Sequence, residues 1–176
     1  MIELVVGMLI MAIAISLLST LLLPLSDRSV GIKSRVLATE LAHSLMNEIW
    51  ILPFDENTLA SLSSHCASSD SPDKNIKPCS LKSSFGHSIE NKSRDDFEDV
   101  DDYSGLNEKS QTAFGAQTYM EAYPNFKLKV DVNYVNEIGQ DIEVNETSDF
   151  KLITITVTTP PPNEEKIILE AIKGNY

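Results

Sequence analysis

A single ionisable side chain, Glu3, stands in an otherwise apolar run from Ile2 to Leu23. An ionised carboxylate is costly inside hydrocarbon, so one placed there by default marks a functional position. Cys66 and Cys79, the only two cysteines, lie in a polar stretch rich in Ser, Asn, Asp and Pro. In an oxidising compartment such a pair forms a disulfide. Zinc would need four ligands, and the nearby His65 and His87 do not complete any standard zinc spacing. Residues 94–106 read RDDFEDVDDYSGL and gather Asp95, Asp96, Glu98, Asp99, Asp101 and Asp102 around Phe97, Val100 and Tyr103. Six carboxylates at that density suit calcium, which takes six to eight oxygen ligands. Their spacing departs from the EF-hand loop, which needs a glycine that this stretch lacks. The plainer reading is an acidic turn: Phe97, Val100 and Tyr103 face the core, and the carboxylates cap backbone amides or stay in water. No other cofactor is implied.

Enzyme signatures are missing. No G-x-S-x-G, H-E-x-x-H, phosphate-binding loop or dinucleotide glycine pattern occurs among the seven glycines. His43, His65 and His87 have no evident nucleophile-and-acid set in company, and the chain reads as non-enzymatic. Its net charge of −12 argues against nucleic acid, whose phosphates need Lys and Arg.

The elements that must position these residues follow from periodicity. As a helix at ~1.5 Å per residue, Ile2–Leu23 measures ~33 Å, matching a hydrocarbon core of ~30 Å. The run is too long for a cleaved signal and lacks a small-residue cleavage site. Asp27, Arg28, Lys33 and Arg35 follow it and leave its orientation open. Pro24 predicts a kink, because it removes a backbone donor. Beyond it, Leu37, Leu41, Leu45 and Ile49 recur every fourth residue with Ala38, Ala42 and Met46 beside them. Lys33, Arg35, Glu40, His43, Asn47 and Glu48 take the other side, giving an amphipathic helix from about Ser29 to Trp50 that Pro53 ends.

Residues 53–118 read as loops pinned by the cysteines, and the pattern turns to strands from Tyr119. Phe126, Leu128, Val130, Val132 and Tyr134 alternate with polar residues; Ile153, Ile155 and Val157 do so against threonines. Past the turn at Pro160–Asn163, Ile167, Leu169 and Ala171 alternate with Ile168, Glu170 and Ile172. Ile142 and Val144 form either a fourth short strand or a turn. The expected fold class is α+β: a long N-terminal helix packed on a C-terminal antiparallel sheet of three or four strands. Residues 1–25 are the membrane half of the helix. Residues 26–176 are the globular part, comprising the amphipathic helix half (26–52), the cysteine and acidic loops (53–118) and the meander (119–176).

An apolar N-terminal helix with an early glutamate, an amphipathic continuation, a cysteine-pinned region and a C-terminal meander resembles the type IV pilin and pseudopilin family. Met1-Ile2-Glu3-Leu4-Val5-Val6-Gly7 looks like the tail of that family's processing motif, Gly-Phe-Thr-Leu/Met-Ile-Glu-Leu. ATELAHSLMNEIWILPFDEN (residues 38–57) and RDDFEDVDDYSGL are similar to minor pilin-like proteins of the mannose-sensitive haemagglutinin (MSHA) pilus. With the strand region, the resemblance extends over nearly the whole chain. It implies the pilin-like fold and a substrate of prepilin peptidase. It also implies a minor subunit or assembly factor of a bacterial type IV pilus, with a type II secretion pseudopilin or an anchored adhesin or binding module as alternatives. Its implied location is the inner membrane, single-pass with a periplasmic C-terminal domain, and then the fimbrium. Implied partners are other pilins through the N-terminal helix, the membrane and the pilus assembly platform.

By hydropathy alone, Glu3 reads equally as a carboxylate reaching headgroup water and as a partner for a buried cation. The resemblance assigns it to subunit registration in the fibre core and Pro24 to the helix kink. The family's basic leader, cleaved glycine and Phe-Thr do not precede Glu3 here, so Met1 is expected to be an internal residue of a longer precursor.

Overall fold

The computed structural model describes residues 2–60, 65–69, 71, 75–86, 92–113, 115, 117–143 and 145–176. It is an α+β chain with helix α1 (Ile2–Trp50), short helices α2 (Glu56–Ala60) and α3 (Tyr119–Ala122), and strands β1 (Lys127–Val135), β2 (Phe150–Thr158) and β3 (Lys166–Gly174). Among the described residues three 3₁₀ turns, Lys82–Ser84, Arg94–Asp96 and Asp101–Tyr103, interrupt the loops. Two compact units result, Met1–Leu37 and Ala38–Tyr176.

The first unit is helical throughout its described length, and Ile2–Thr20 is long and apolar enough to cross a membrane. All its side chains from Ile2 to Thr20 are exposed. Ser19 and Thr20 donate their hydroxyls back to the carbonyls of Ile15 and Leu17, at 2.9 and 2.8 Å. Those bonds satisfy both hydroxyl donors within the helix, which suits an apolar solvent. α1 remains helical across Pro24. The side chains of residues 21–28 lie outside the described set.

The second unit begins where the apolar stripe of α1 becomes buried. Ala38, Leu41, Ala42, Leu45, Met46 and Ile49 recur at three- and four-residue steps and are all inside, while Glu40, His43 and Asn47 on the opposite side are exposed. Val30, Ile32 and Val36, which the amphipathic reading included, are exposed, so the buried stripe starts later than Ser29. α1 stops at Trp50, three residues before Pro53. Lys173 Nζ donates to the carbonyls of Trp50, at 2.9 Å, and Leu52. A cation thus meets two acceptors at the negative end of the helix.

The strands form one antiparallel meander in the order β1-β2-β3. Its register pairs Val130 with Ile155 and Ile155 with Leu169. Period-two alternation places Leu128, Val130, Val132 and Tyr134 on the buried face with Ile153, Ile155 and Val157. That face and the Ala38–Ile49 stripe supply most of the core; Ile167, Leu169 and Ala171 are half-buried.

Among the described residues the sheet has three strands. Asp141 makes one isolated bridge to Val135, Ile142 sits in a loop, and Val144 lies outside the described residues. Tyr119 opens a helix rather than a strand. The cause is a capping box: Glu121 N–H donates to Thr118 Oγ1 at 3.3 Å, and Thr118 N–H donates to Glu121 Oε2 at 2.7 Å.

Candidate functional site

Glu3 lies in the first turn of α1, a favourable place for a carboxylate because the free amides there carry partial positive charge. Among the described residues it is the sole acidic or basic group in Ile2–Thr20. The helix thus presents one ionisable group on a surface otherwise suited to lipid or to other apolar helices.

Cys66 and Cys79 form a disulfide with both residues buried. Their sulfurs are joined to each other, which removes the zinc alternative even though the Asp55 carboxylate lies within 4.8 Å of both. Asn175 clamps the bridge to the C-terminus. Its Nδ2 donates to Cys66 O and to Asp149 Oδ1, both at 2.9 Å, and its Oδ1 accepts from Cys66 N at 3.1 Å. Ser69 N–H donates to Thr147 O at 3.1 Å and continues the attachment. Replacing both cysteines by serine is expected to cost about 3 kcal/mol, the unfolded-state entropy of a loop this size. Urea unfolding of the full chain in detergent, with and without reductant, measures it.

The six carboxylates of the acidic stretch do not act as one surface. Asp95, Asp96 and Glu98 are exposed, whereas Asp99, Asp101 and Asp102 are buried. The 3₁₀ turn Asp101–Tyr103 carries Tyr103 into the core next to Val100 and turns Asp101 and Asp102 with it; Asp99 lies just ahead of the turn. Asp102 pairs with Lys92 at 3.0 Å and accepts from the amide of Glu98 at 2.8 Å. Asp99 accepts from the amides of Glu56 and Asp102 at 2.7 and 3.2 Å. Phe97 is half-buried, in edge contact with Tyr103. The Arg94 guanidinium lies 4.6 and 4.5 Å from those two rings and donates to Glu48 Oε1 at 2.6 Å.

Asp101 points to the residue that sequence reasoning overlooked. Lys151 is fully buried, and its ammonium donates to Asp101 Oδ1 at 2.6 Å, to the carbonyl of Phe54 at 2.7 Å and to Asp55 Oδ2 at 3.4 Å. The rings of Phe54, Phe85 and Tyr134 stand around it at 4.3, 4.8 and 5.3 Å. Asp55, also fully buried, accepts from the amides of Ser80 and Asn57 at 2.8 and 3.0 Å. Tyr134 donates its hydroxyl to Ser80 O at 2.8 Å.

Gly86 lets the Phe85 loop close over the group. Its φ is +101°, and a side chain there would meet Ser104 O at 2.6 Å. The signal for Lys151 was present in the alternation, because it shares parity with Ile153, Ile155 and Val157 in KLITITVTT. Lys127 and Lys129 on β1 take the opposite parity and are exposed.

Burial, and then the neighbouring charges of Asp101 and Asp102, push the Asp99 carboxyl up to about 8. Burial also pushes Asp101 up, to about 6, against the attraction of Lys151. Of the histidines, His43 is exposed, His65 is half-buried and His87 lies outside the described residues. Comparison of the chain with protein-family models, with curated proteins and with solved structures gives no match.

Proposed function

We propose that this protein is a minor pilin-like subunit or assembly factor of a bacterial type IV pilus of the MSHA kind. The observation that carries this reading is the division of labour along α1. Its first turns are apolar, exposed and marked by one carboxylate, while its residues from Ala38 pack in a disulfide-bearing unit with an antiparallel meander. A helix of that composition serves as a bilayer span before assembly and packs among like helices in a fibre afterwards. In such a bundle Glu3 pairs with a cation of a neighbouring subunit, its free N-terminal amine, and sets the axial register. Breaking a buried pair by removing one partner costs ~3–5 kcal/mol, enough to discriminate between registers. Glu3→Ala is therefore expected to leave the protein in the membrane fraction while pilus number falls sharply by electron microscopy. Normal piliation in the Glu3→Ala strain would refute the registration role.

A further inference from the structure

We infer that Lys151 and Asp101 are the two ends of an intramolecular isopeptide bond that the folded protein forms by itself. The observation is a fully buried amine in direct contact with a buried carboxyl group, walled by three aromatic rings, with a second buried carboxylate beside the amine.

In water, an amine and a carboxylic acid do not condense at a useful rate, because both are ionised and must first find each other. Both obstacles are reduced here. The water that would hold the two charges apart is excluded, and the two groups are in direct contact. Position then replaces collision, and well-oriented groups reach effective molarities of about 10⁵–10⁸ M. Both partners are held by backbone. Lys151 is paired in the sheet with Tyr134 on one side and Lys173 on the other. The carbonyl of Asp101 accepts from the amides of Gly86 and Ser104, each at 3.0 Å.

The step balances without an external reagent. One proton passes from Lys151 Nζ along the 2.6 Å contact to Asp101, leaving a neutral amine and a neutral acid. The Nζ lone pair attacks Asp101 Cγ, and the C–N bond forms. Asp55, 3.4 Å from Nζ, takes a second proton from the nitrogen as it becomes positive. It returns that proton to the departing hydroxyl as the C–O bond breaks. The products are an amide, one water molecule and an Asp55 carboxylate unchanged overall. Asp55 is suited to this shuttle because the Ser80 and Asn57 amides hold it in place. The bond would tie the start of β2 to the Asp101–Tyr103 turn across a sequence separation of 50.

The test is mass spectrometry of the full chain purified in detergent, reduced, denatured and digested with trypsin. The expected result is an intact mass one water below that of its mapped residues and a branched peptide joining residues 95–109 to residues 130–166, with no cleavage after Lys151. Asp101→Ala is expected to restore the full mass and the cleavage, a reading that holds whether or not the variant folds. Asp55→Asn is expected to leave most molecules unlinked. Cleavage after Lys151 in the wild-type chain at full mass overturns the proposal. So does a one-water loss carried by a linear peptide, as from a succinimide. A branched peptide formed as completely in Asp55→Asn as in wild type overturns the shuttle role of Asp55.

Discussion

Relative to the chain in which Lys151 and Asp101 are not yet joined, substituting Lys151 by methionine is expected to destabilise the Ala38–Tyr176 unit by about 3–5 kcal/mol, the cost of removing one partner from a buried ion pair. Methionine fills most of the volume of the lysine stem, so the loss is electrostatic rather than a cavity effect. Asp55 and Asp101 would be left as buried carboxylates without their cation, and the Phe54 carbonyl without its donor. The aromatic rings that stabilise an ammonium offer nothing to a carboxylate, since their faces are negative. Urea unfolding of the full chain in detergent, followed by tyrosine and tryptophan fluorescence, measures the change. Adding Asp101→Leu to Lys151→Met is expected to recover part of the loss, because an uncompensated charge costs more than an apolar replacement of both partners. A Lys151→Met variant within about 1 kcal/mol of the unlinked chain, the range of an exposed pair, would show that the cluster is hydrated.

Stability is also expected to fall as pH rises from about 5 to 9, and Asp99 is the main cause. In the unfolded chain an aspartate ionises near pH ~4. Folded, Asp99 holds its proton up to about 8 because it is buried beside Asp101 and Asp102. Between those values the native state binds more protons than the unfolded state. The slope of unfolding free energy with pH is then negative. Below the unfolded value both states are protonated and Asp99 contributes no slope. Above about 8 both are ionised and the whole penalty, several kcal/mol, is present. As long as Asp101 is not joined to Lys151, its carboxyl, raised to about 6, adds a smaller change of the same sign. Asp99→Asn cannot ionise and keeps one side-chain oxygen, enough to accept from the Glu56 amide at the cost of the longer bond from Asp102. The variant is expected to melt with little pH dependence and to exceed wild type in melting temperature at pH 9. Differential scanning calorimetry at pH 5, 7 and 9 decides it, and parallel profiles for the two proteins would assign the slope elsewhere.

The lysine and the three aspartates also show how patterns in a chain relate to its fold. Local periodicity determined the helix, the strands and their faces, because burial on one side repeats at every 3.6 or two residues regardless of distant partners. Ala38 to Ile49 and Leu128 to Tyr134 took the faces their spacing assigned. The cysteine pair was legible for a similar reason, since residue type and surroundings suffice to propose a bridge. Even the parity of Lys151 stood in the alternation of its strand. The capping box at Thr118 and Glu121 was readable too, although strand residues just downstream drew Tyr119 into the wrong element.

Tertiary structure alone decided which charges of residues 94–106 face inward. Carboxylates are ordinarily solvated, and only a partner fixed elsewhere makes burial tolerable. Lys151 comes from β2, Asp55 and the Phe54 ring from the loop after α1, and the Phe85 and Tyr134 rings from two further places in the chain. No window of local sequence contains that meeting. The same holds for Asn175, which reaches the disulfide from the far end of the chain. Period and residue type are properties of a segment, whereas the neutralisation of a buried charge depends on two segments arriving at one point.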